Sequence, residues 1–293
     1  MNEDELRNDI LLLKAEVKRL RKSLTELAPP LPALLRRRGF RIFKKEPQDD
    51  LLLPGRRYID DYYHFLNKYS FRLFLRDVIK RQEGFAIEDV TRYSTREVTE
   101  DYTRFLLGMR LIEKAGRGGP YRLKKGPVKS FGPTLEWFLS QIFKREFEAE
   151  AIWGIKFKRA VVGGDYDLIA KIDSSLLYME VKSSPPKQIY ANEISAYFDR
   201  ILDLRPEIAI FFMDTELRMK DKIVPMFEDE LRKRAPGVLS SYLGSPLSSE
   251  PPPVKRVEKE LFQTGDKIFI INAKDSIVNN IEKVLSRYFR KGQ

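Results

Sequence analysis

The sequence predicts an α/β fold, a mixed central sheet flanked by helices, preceded by a smaller helical unit and an N-terminal amphipathic helix. Three observations predict it. Apolar runs at 166–170 and 176–181 flank the polar break Asp173-Ser174-Ser175, which reads as a β-hairpin or meander. Near-continuous apolar runs at Glu207–Met213 and Lys267–Asn272 read as buried parallel strands. Helical periodicity lies between and after these runs, in 187–204, 219–234 and 276–290.

Taken in order, the chain opens with a helix over 1–28. Leu6, Ile10, Leu13, Val17, Leu20, Leu24 and Leu27 alternate in steps of four and three, an a/d seam, with Lys14, Lys18, Arg19, Arg21 and Lys22 off it. The pattern predicts a short coiled coil that joins two copies into a homodimer; the competing reading is an amphipathic helix packed on its own domain. Ala28-Pro29-Pro30 ends it, because proline lacks the donor and clashes with the preceding turn. Residues 29–56 read as a basic linker carrying Arg36-Arg37-Arg38 and Lys44-Lys45, with a short strand near 39–43.

A second unit spans 57–126. Phe71–Arg81 is expected as a helix with Phe71, Phe74, Leu75 and Val78 inward, and Ala86–Thr91 as a short second helix. Ser94-Thr95-Arg96-Glu97 has the form of a capping box, with Ser94 at the N-cap of a third helix. Its apolar face is Val98, Tyr102, Phe105, Leu106 and Met109; Arg96, Thr99, Thr103 and Arg104 lie on the exposed face beside Glu97, Glu100 and Asp101. Residues 111–114 and 121–124 flank Gly116-Arg117-Gly118-Gly119-Pro120 and predict a hairpin. Three helices and a glycine-rich hairpin resemble a winged helix-turn-helix domain. That resemblance implies DNA contact through Arg96, Thr99, Lys114, Arg117, Arg122 and Lys124. The acids on the third helix repel phosphates, and winged helices also bind proteins.

The third unit, 127–293, follows Gly126-Pro127. A helix over 134–147 buries Leu135, Phe138, Leu139, Ile142 and Phe143, with Glu136 at the edge of that face. A strand at 151–158 and Ala160-Val161-Val162 lead to the hairpin. The following helix turns Tyr190, Ile194, Tyr197, Phe198 and Ile201 inward, with Gln188, Asn192, Glu193 and Arg200 to one side. Pro236–Pro253, rich in Ser and Pro, reads as a flexible loop.

Composition narrows the chemistry. The chain has 293 residues, a net charge of +11, one histidine and no cysteine. Disulfides, thiolate zinc sites and a cysteine nucleophile are excluded, and any metal is expected to be oxygen-ligated. His64, among Tyr62, Tyr63 and Phe65, reads as packing or surface. The positive excess favours a polyanionic partner, nucleic acid before an acidic membrane. No apolar run has the length of a membrane span and the N-terminus is not signal-like, which fits a cytoplasmic protein.

The hairpin carries the chemistry. Alternation along a strand puts Glu180 and Lys182 on one face and Met179 and Val181 on the other; Asp167 shares its face with Ile169 and can oppose Glu180. Two carboxylates and a lysine on one sheet face are costly as structure alone, and a hard divalent cation relieves the repulsion. The bland alternative is an exposed Glu–Lys cross-strand pair, and Glu136 is alternatively a first-turn acid that complements its helix dipole.

Asp167, then Glu180-Val181-Lys182, with Glu136 on a preceding helix, resembles the PD-(D/E)xK nuclease superfamily, most of all archaeal-type Holliday-junction resolvases and restriction-like endonucleases. The resemblance runs from about Pro127 to the C-terminus. It implies a restriction-endonuclease-like sheet and Mg²⁺ or Mn²⁺ at Asp167, Glu180 and Val181. It further implies Lys182 positioning water, Glu136 completing the acidic cluster and Gln188 adding a polar group. Tyr166 stands where the family has proline, and Asp165 is an alternative ligand. The implied function is metal-dependent hydrolysis of DNA phosphodiester bonds, in repair or defence. The alternatives are an RNA nuclease, or a nucleic-acid-binding or scaffolding protein whose nuclease fold no longer cuts.

Overall fold

The computed structural model describes residues 3–116, 118–158, 162–234, 238–243 and 251–290. Its centre is a mixed eight-stranded sheet that two layers of helices cover, the architecture the patterning predicts. The helices are α1 (Glu3–Leu27), α2 (Leu31–Arg37), α3 (Ile59–Leu66), α4 (Tyr69–Lys80), α5 (Arg96–Gly108), α6 (Gly132–Glu146), α7 (Ala191–Leu204), α8 (Ile223–Arg234), α9 (Val238–Leu243) and α10 (Ile277–Arg290). The strands are β1 (Ile42–Lys44), β2 (Ile112–Lys114), β3 (Tyr121–Leu123), β4 (Glu150–Phe157), β5 (Tyr166–Ile172), β6 (Ser175–Lys182), β7 (Ile208–Met213), β8 (Lys255–Glu258), β9 (Leu261–Thr264) and β10 (Ile268–Asn272).

The sheet order is β1-β4-β5-β6-β7-β10-β9-β8, and β2-β3 is a separate hairpin. Strands β4, β5 and β6 form an antiparallel meander, whereas β6-β7 and β7-β10 are parallel. The parallel strands are buried throughout, which is why their sequences run apolar without alternation. One sheet face (Leu168, Met179, Val181, Ile210) packs against α6 and α10. The other (Ile169, Tyr178, Ala209, Phe211) packs against α2, α7 and α8.

Several expectations change. The stretch expected as a linker contributes α2, whose Leu31 and Leu35 are buried, and β1, which pairs with the edge of β4. Helix α3 precedes the helix expected at 71–81, which begins at Tyr69. The second helix of that unit is a 3-10 turn, Ile87–Val90. The cap of α5 is Thr95, not Ser94: the Thr95 side chain accepts from the Val98 N–H. Thr99 and Thr103, expected on the exposed face, are buried; Thr99 Oγ1 donates to the Thr95 carbonyl at 2.9 Å and Thr103 Oγ1 to that of Thr99 at 2.8 Å. Within 236–253, α9 packs through Leu239 and Leu243; after that stretch β8 and β9, unforeseen in the sequence, close the far sheet edge. Of Ala160-Val161-Val162, the first two lie outside the described residues, as does Arg117.

The helical unit is continuous with the sheet layer beneath it. Phe71, Phe74, Tyr102 and Leu106 belong to the same apolar cluster as Phe138, Leu168 and Phe212. Arg72 Nε reaches Asp214 Oδ1 at 2.8 Å just beyond β7, with Arg72 1% and Asp214 0% exposed, and Arg76 binds the second carboxylate oxygen. Arg72 Nη1 also donates to the carbonyls of Leu66 and Asn67. In contrast, Leu6, Ile10, Leu13, Val17 and Leu20 of α1 are all exposed, so these positions of the seam are not buried against their own chain.

Candidate active site

Leu168 pairs with Met179 across β5 and β6, so Asp167 stands one step further on, across from Glu180. The Val181 N–H donates to Asp167 Oδ2 at 2.7 Å, which fixes the aspartate against β6. Alternation places Glu180 and Lys182 on one face, as expected, and that face is the α7 side, while Val181 turns into the α6 layer. The Asp214 N–H donates to the Lys182 carbonyl at 2.8 Å and pins the end of β6 to β7.

Glu180 is 2% exposed and heavily bonded. Arg200 Nη1 lies 3.1 and 2.9 Å from its two oxygens, Lys182 Nζ lies 3.0 Å from Oε1, and the Tyr178 hydroxyl donates to Oε2. Lys182 Nζ also meets Glu193 Oε1 at 3.1 Å. Glu193 and Arg200, seven residues apart, therefore share the face of α7 that meets β6. The sequence places them to one side of this helix but gives them no role. Spacing from the buried Ile194, Tyr197 and Ile201 was the available signal.

Glu136 comes from α6, in the opposite layer, where the N–H of Gly154 partly offsets the upward shift of its carboxyl. Gly154 has φ +56°, and a Cβ there would fall 2.5 Å from Pro47 Cδ and 3.6 Å from Glu136 Oε2. Only glycine lets β4, Pro47 and Glu136 approach this closely. Asp165, the alternative ligand, pairs with Lys156 at 3.1 Å, ahead of β5. Gln188 sits in the 3-10 turn Pro186–Gln188, before α7, with an exposed side chain bonded to none of these groups. Tyr190, expected inward, is 67% exposed.

The electrostatics show surplus negative charge. Burial pushes the Asp167 carboxyl up to about 8, reinforced by Glu180 and partly offset by the Val181 N–H, Lys182 and Arg200. Burial likewise holds the Glu136 carboxyl well above the usual range, followed by the charges of Asp167, Asp165 and Glu180. Burial lowers the Lys182 ammonium, but Glu180 and Asp167 outweigh it and the net shift is upward. Arg200 shows the same balance. Glu136, Asp167, Glu180 and Glu193 face two cations, Lys182 and Arg200; fully ionised, the group has an excess of two negative charges, that of one divalent ion.

That surplus and the all-oxygen donors fit a hard cation held by one or two carboxylates with water completing its shell. Among the described residues, however, no three His, Asp or Glu side chains converge into a ready-made metal group. The ligand pair available is Asp167 and Glu180, with the Val181 carbonyl between Glu180 and Lys182.

Of the residues expected to grip DNA, Arg96 is paired with Glu88 and Glu100, and Arg122 with Glu113. Lys114 lies over the Tyr121 ring at 5.5 Å, and Lys124 is exposed without an acid partner among the described residues. Thr99, fully buried, offers nothing to a ligand. No helix among the described residues is long and apolar enough to cross a membrane.

No protein-family profile and no curated protein matches the chain. Solved structures similar to it include Can2 from Sulfobacillus thermosulfidooxidans in complex with cyclic tetra-adenylate (TM-score 0.41, 16% identity, 62% of this chain and 50% of that one). Protein VC1899 from Vibrio cholerae is another (TM-score 0.38, 16% identity, 62% and 51%). The chain thus spans about half the length of the structures it matches.

Proposed function

We propose that the chain is a metal-dependent endonuclease that hydrolyses DNA phosphodiester bonds. The observation that carries this reading is the gathering of Asp167, Glu180 and Lys182 on one face of an antiparallel pair, with Asp167 and Glu136 both raised. Asp167 and Glu180 would hold Mg²⁺ or Mn²⁺, with the Val181 carbonyl as a further oxygen. The bound ion would supply Lewis-acid stabilisation of phosphate charge. Lys182, kept protonated by Glu180 and Asp167, orients water by hydrogen bonding and offers positive charge to the developing phosphorane oxygens. Glu193 steadies the lysine from α7. Glu136 is the acid that can hold a proton beside the reacting group.

The helical unit, with its hairpin, acts as a winged module that grips DNA. The a/d seam of α1, exposed at Leu6, Ile10, Leu13, Val17 and Leu20, pairs with that of a second copy and sets two active sites in one dimer. A chain lacking 1–28 should then run as a monomer in light scattering.

One observation favours a second reading, a nucleic-acid-binding or scaffolding protein that does not cut. Both Glu180 oxygens are already engaged by Arg200, Lys182 and Tyr178. The test separates the two: plasmid, single-stranded and branched DNA are incubated with Mg²⁺ or Mn²⁺, alongside Lys182→Ala. Cutting by the wild type that the variant loses supports the nuclease. Binding without cutting on every substrate supports the second reading.

A further inference from the structure

Five cations at the base of the helical unit gather in one concavity. A groove of ≈ 670 Å³ is lined by Arg56, Arg57, Arg110, Lys124 and Lys125 and by no acidic residue. All five are exposed, and none has an ion-pair partner among the described residues. Arg57 lies over the Tyr58 ring at 4.4 Å. Nearby cations outside the groove, Arg96 and Arg122, are paired with acids. Five like charges in one concavity repel one another unless something anionic lies among them.

Arg110 adds an independent observation. It follows α5 with φ +60°, and its N–H and that of Leu111 cap the carbonyls of Leu107 and Leu106. This is the left-handed position at a helix C-terminus, where glycine avoids the penalty a Cβ incurs. A cation here complements the helix dipole, but the last turn of α5 would tolerate glycine as well. The residue present is the one that points charge into the groove. The apolar residues beneath, Met109 and Leu111, are buried and Leu53 and Tyr58 are partly so, which leaves the surface without a projecting apolar side chain of the kind that anchors in a bilayer.

We propose that this groove binds the phosphate backbone of duplex DNA, separately from the candidate active site; this rests on the nucleic-acid reading above. It draws on the stretch before α3, the residue that follows α5 and the bend after β3, not on the outer face of α5. Sequence-independent phosphate contact is the mode that unpaired arginine and lysine in a groove support.

The test is salt-dependent binding of a labelled duplex by anisotropy in EDTA, where no cleavage occurs. Arg110→Ala/Lys124→Ala/Lys125→Ala is compared with the exposed control Lys220→Ala/Lys233→Ala/Lys274→Ala, which changes net charge equally. The groove variant should flatten the slope of log affinity against log salt by about 3, so that raising salt from about 50 to about 200 mM weakens it about 40-fold less than wild type. The control should keep the wild-type slope. Arg110→Gly should lower the slope by about 1 while its melting temperature holds or rises, which separates lost contact from lost fold. A wild-type slope in the groove variants, or no duplex binding by wild type at low salt, overturns the proposal. So does groove-dependent binding to phosphatidylserine vesicles with an unmoved DNA slope. Failure to cleave with the expected slopes would sink the nuclease reading and leave the groove standing.

Discussion

Replacing Asp214 with alanine should be among the most destabilising single changes outside the apolar core. Asp214 is fully buried and faces two arginines that respond differently to its loss. Arg76 keeps a 15% exposed side chain and can turn to water. Arg72 cannot, because it is 1% exposed and its Nη1 is held by the carbonyls of Leu66 and Asn67. Asp214→Ala therefore strands a guanidinium in a dry environment, which costs about 3–5 kcal/mol, equivalent to a fall of roughly 5–8 °C in melting temperature for a chain of this size. Urea unfolding followed by the fluorescence of the buried Trp137 and Trp153 reads the loss, since both indoles lie in the cluster that Arg72 borders. Because the penalty is that of an unpaired charge, Arg72→Met/Asp214→Leu should recover most of it. A loss under about 1 kcal/mol in Asp214→Ala, or a double variant no more stable than the single, would refute the argument.

Two further predictions follow from the candidate site. Gly154→Ala combines a left-handed backbone with a Cβ 2.5 Å from Pro47 Cδ, so it should cost about 2–4 kcal/mol in chemical denaturation; a neutral substitution would mean that β4 and Pro47 separate easily. For Asp167, the folded carboxyl sits at about 8 against an ordinary 3.8, so the folded state holds the proton more tightly. Its contribution is complete below about pH 4 and is lost as pH rises to about 8. Asp167→Asn, which still accepts from Val181, should thus match wild type in stability near pH 4, gain on it steadily as pH rises to about 8 and gain no more above that. Thermal melts across that range check it, and an advantage that shrinks with rising pH contradicts the burial argument.

The sheet and the face that carries the candidate site were legible because strand alternation needs few residues to declare itself. Leu168 and Met179 on one side and Asp167, Glu180 and Lys182 on the other follow from the period of two. The buried β7 and β10 were legible for the opposite reason, the absence of alternation. What escaped was set by partners distant in sequence. Arginines at 36–38 hide Leu31 and Leu35, whose inward packing depends on a sheet more than 100 residues later. Strands β8 and β9 are short, and the Ser- and Pro-rich stretch before them reads as loop. Thr99 and Thr103 look polar in sequence, yet each hydroxyl is satisfied by the carbonyl one turn back, which lets it enter the core. The grip of Arg200 on Glu180 depends on how α7 lies across β6, which no local pattern encodes.

The apolar cluster that runs without interruption from α3–α5 into α6 and the sheet has a mechanical consequence. The helical unit cannot swing on a tether, so anything it grips meets β5 and β6 at one angle and one reach. On the nucleic-acid reading proposed above, selection among ligands then rests on span, as in a fixed gauge.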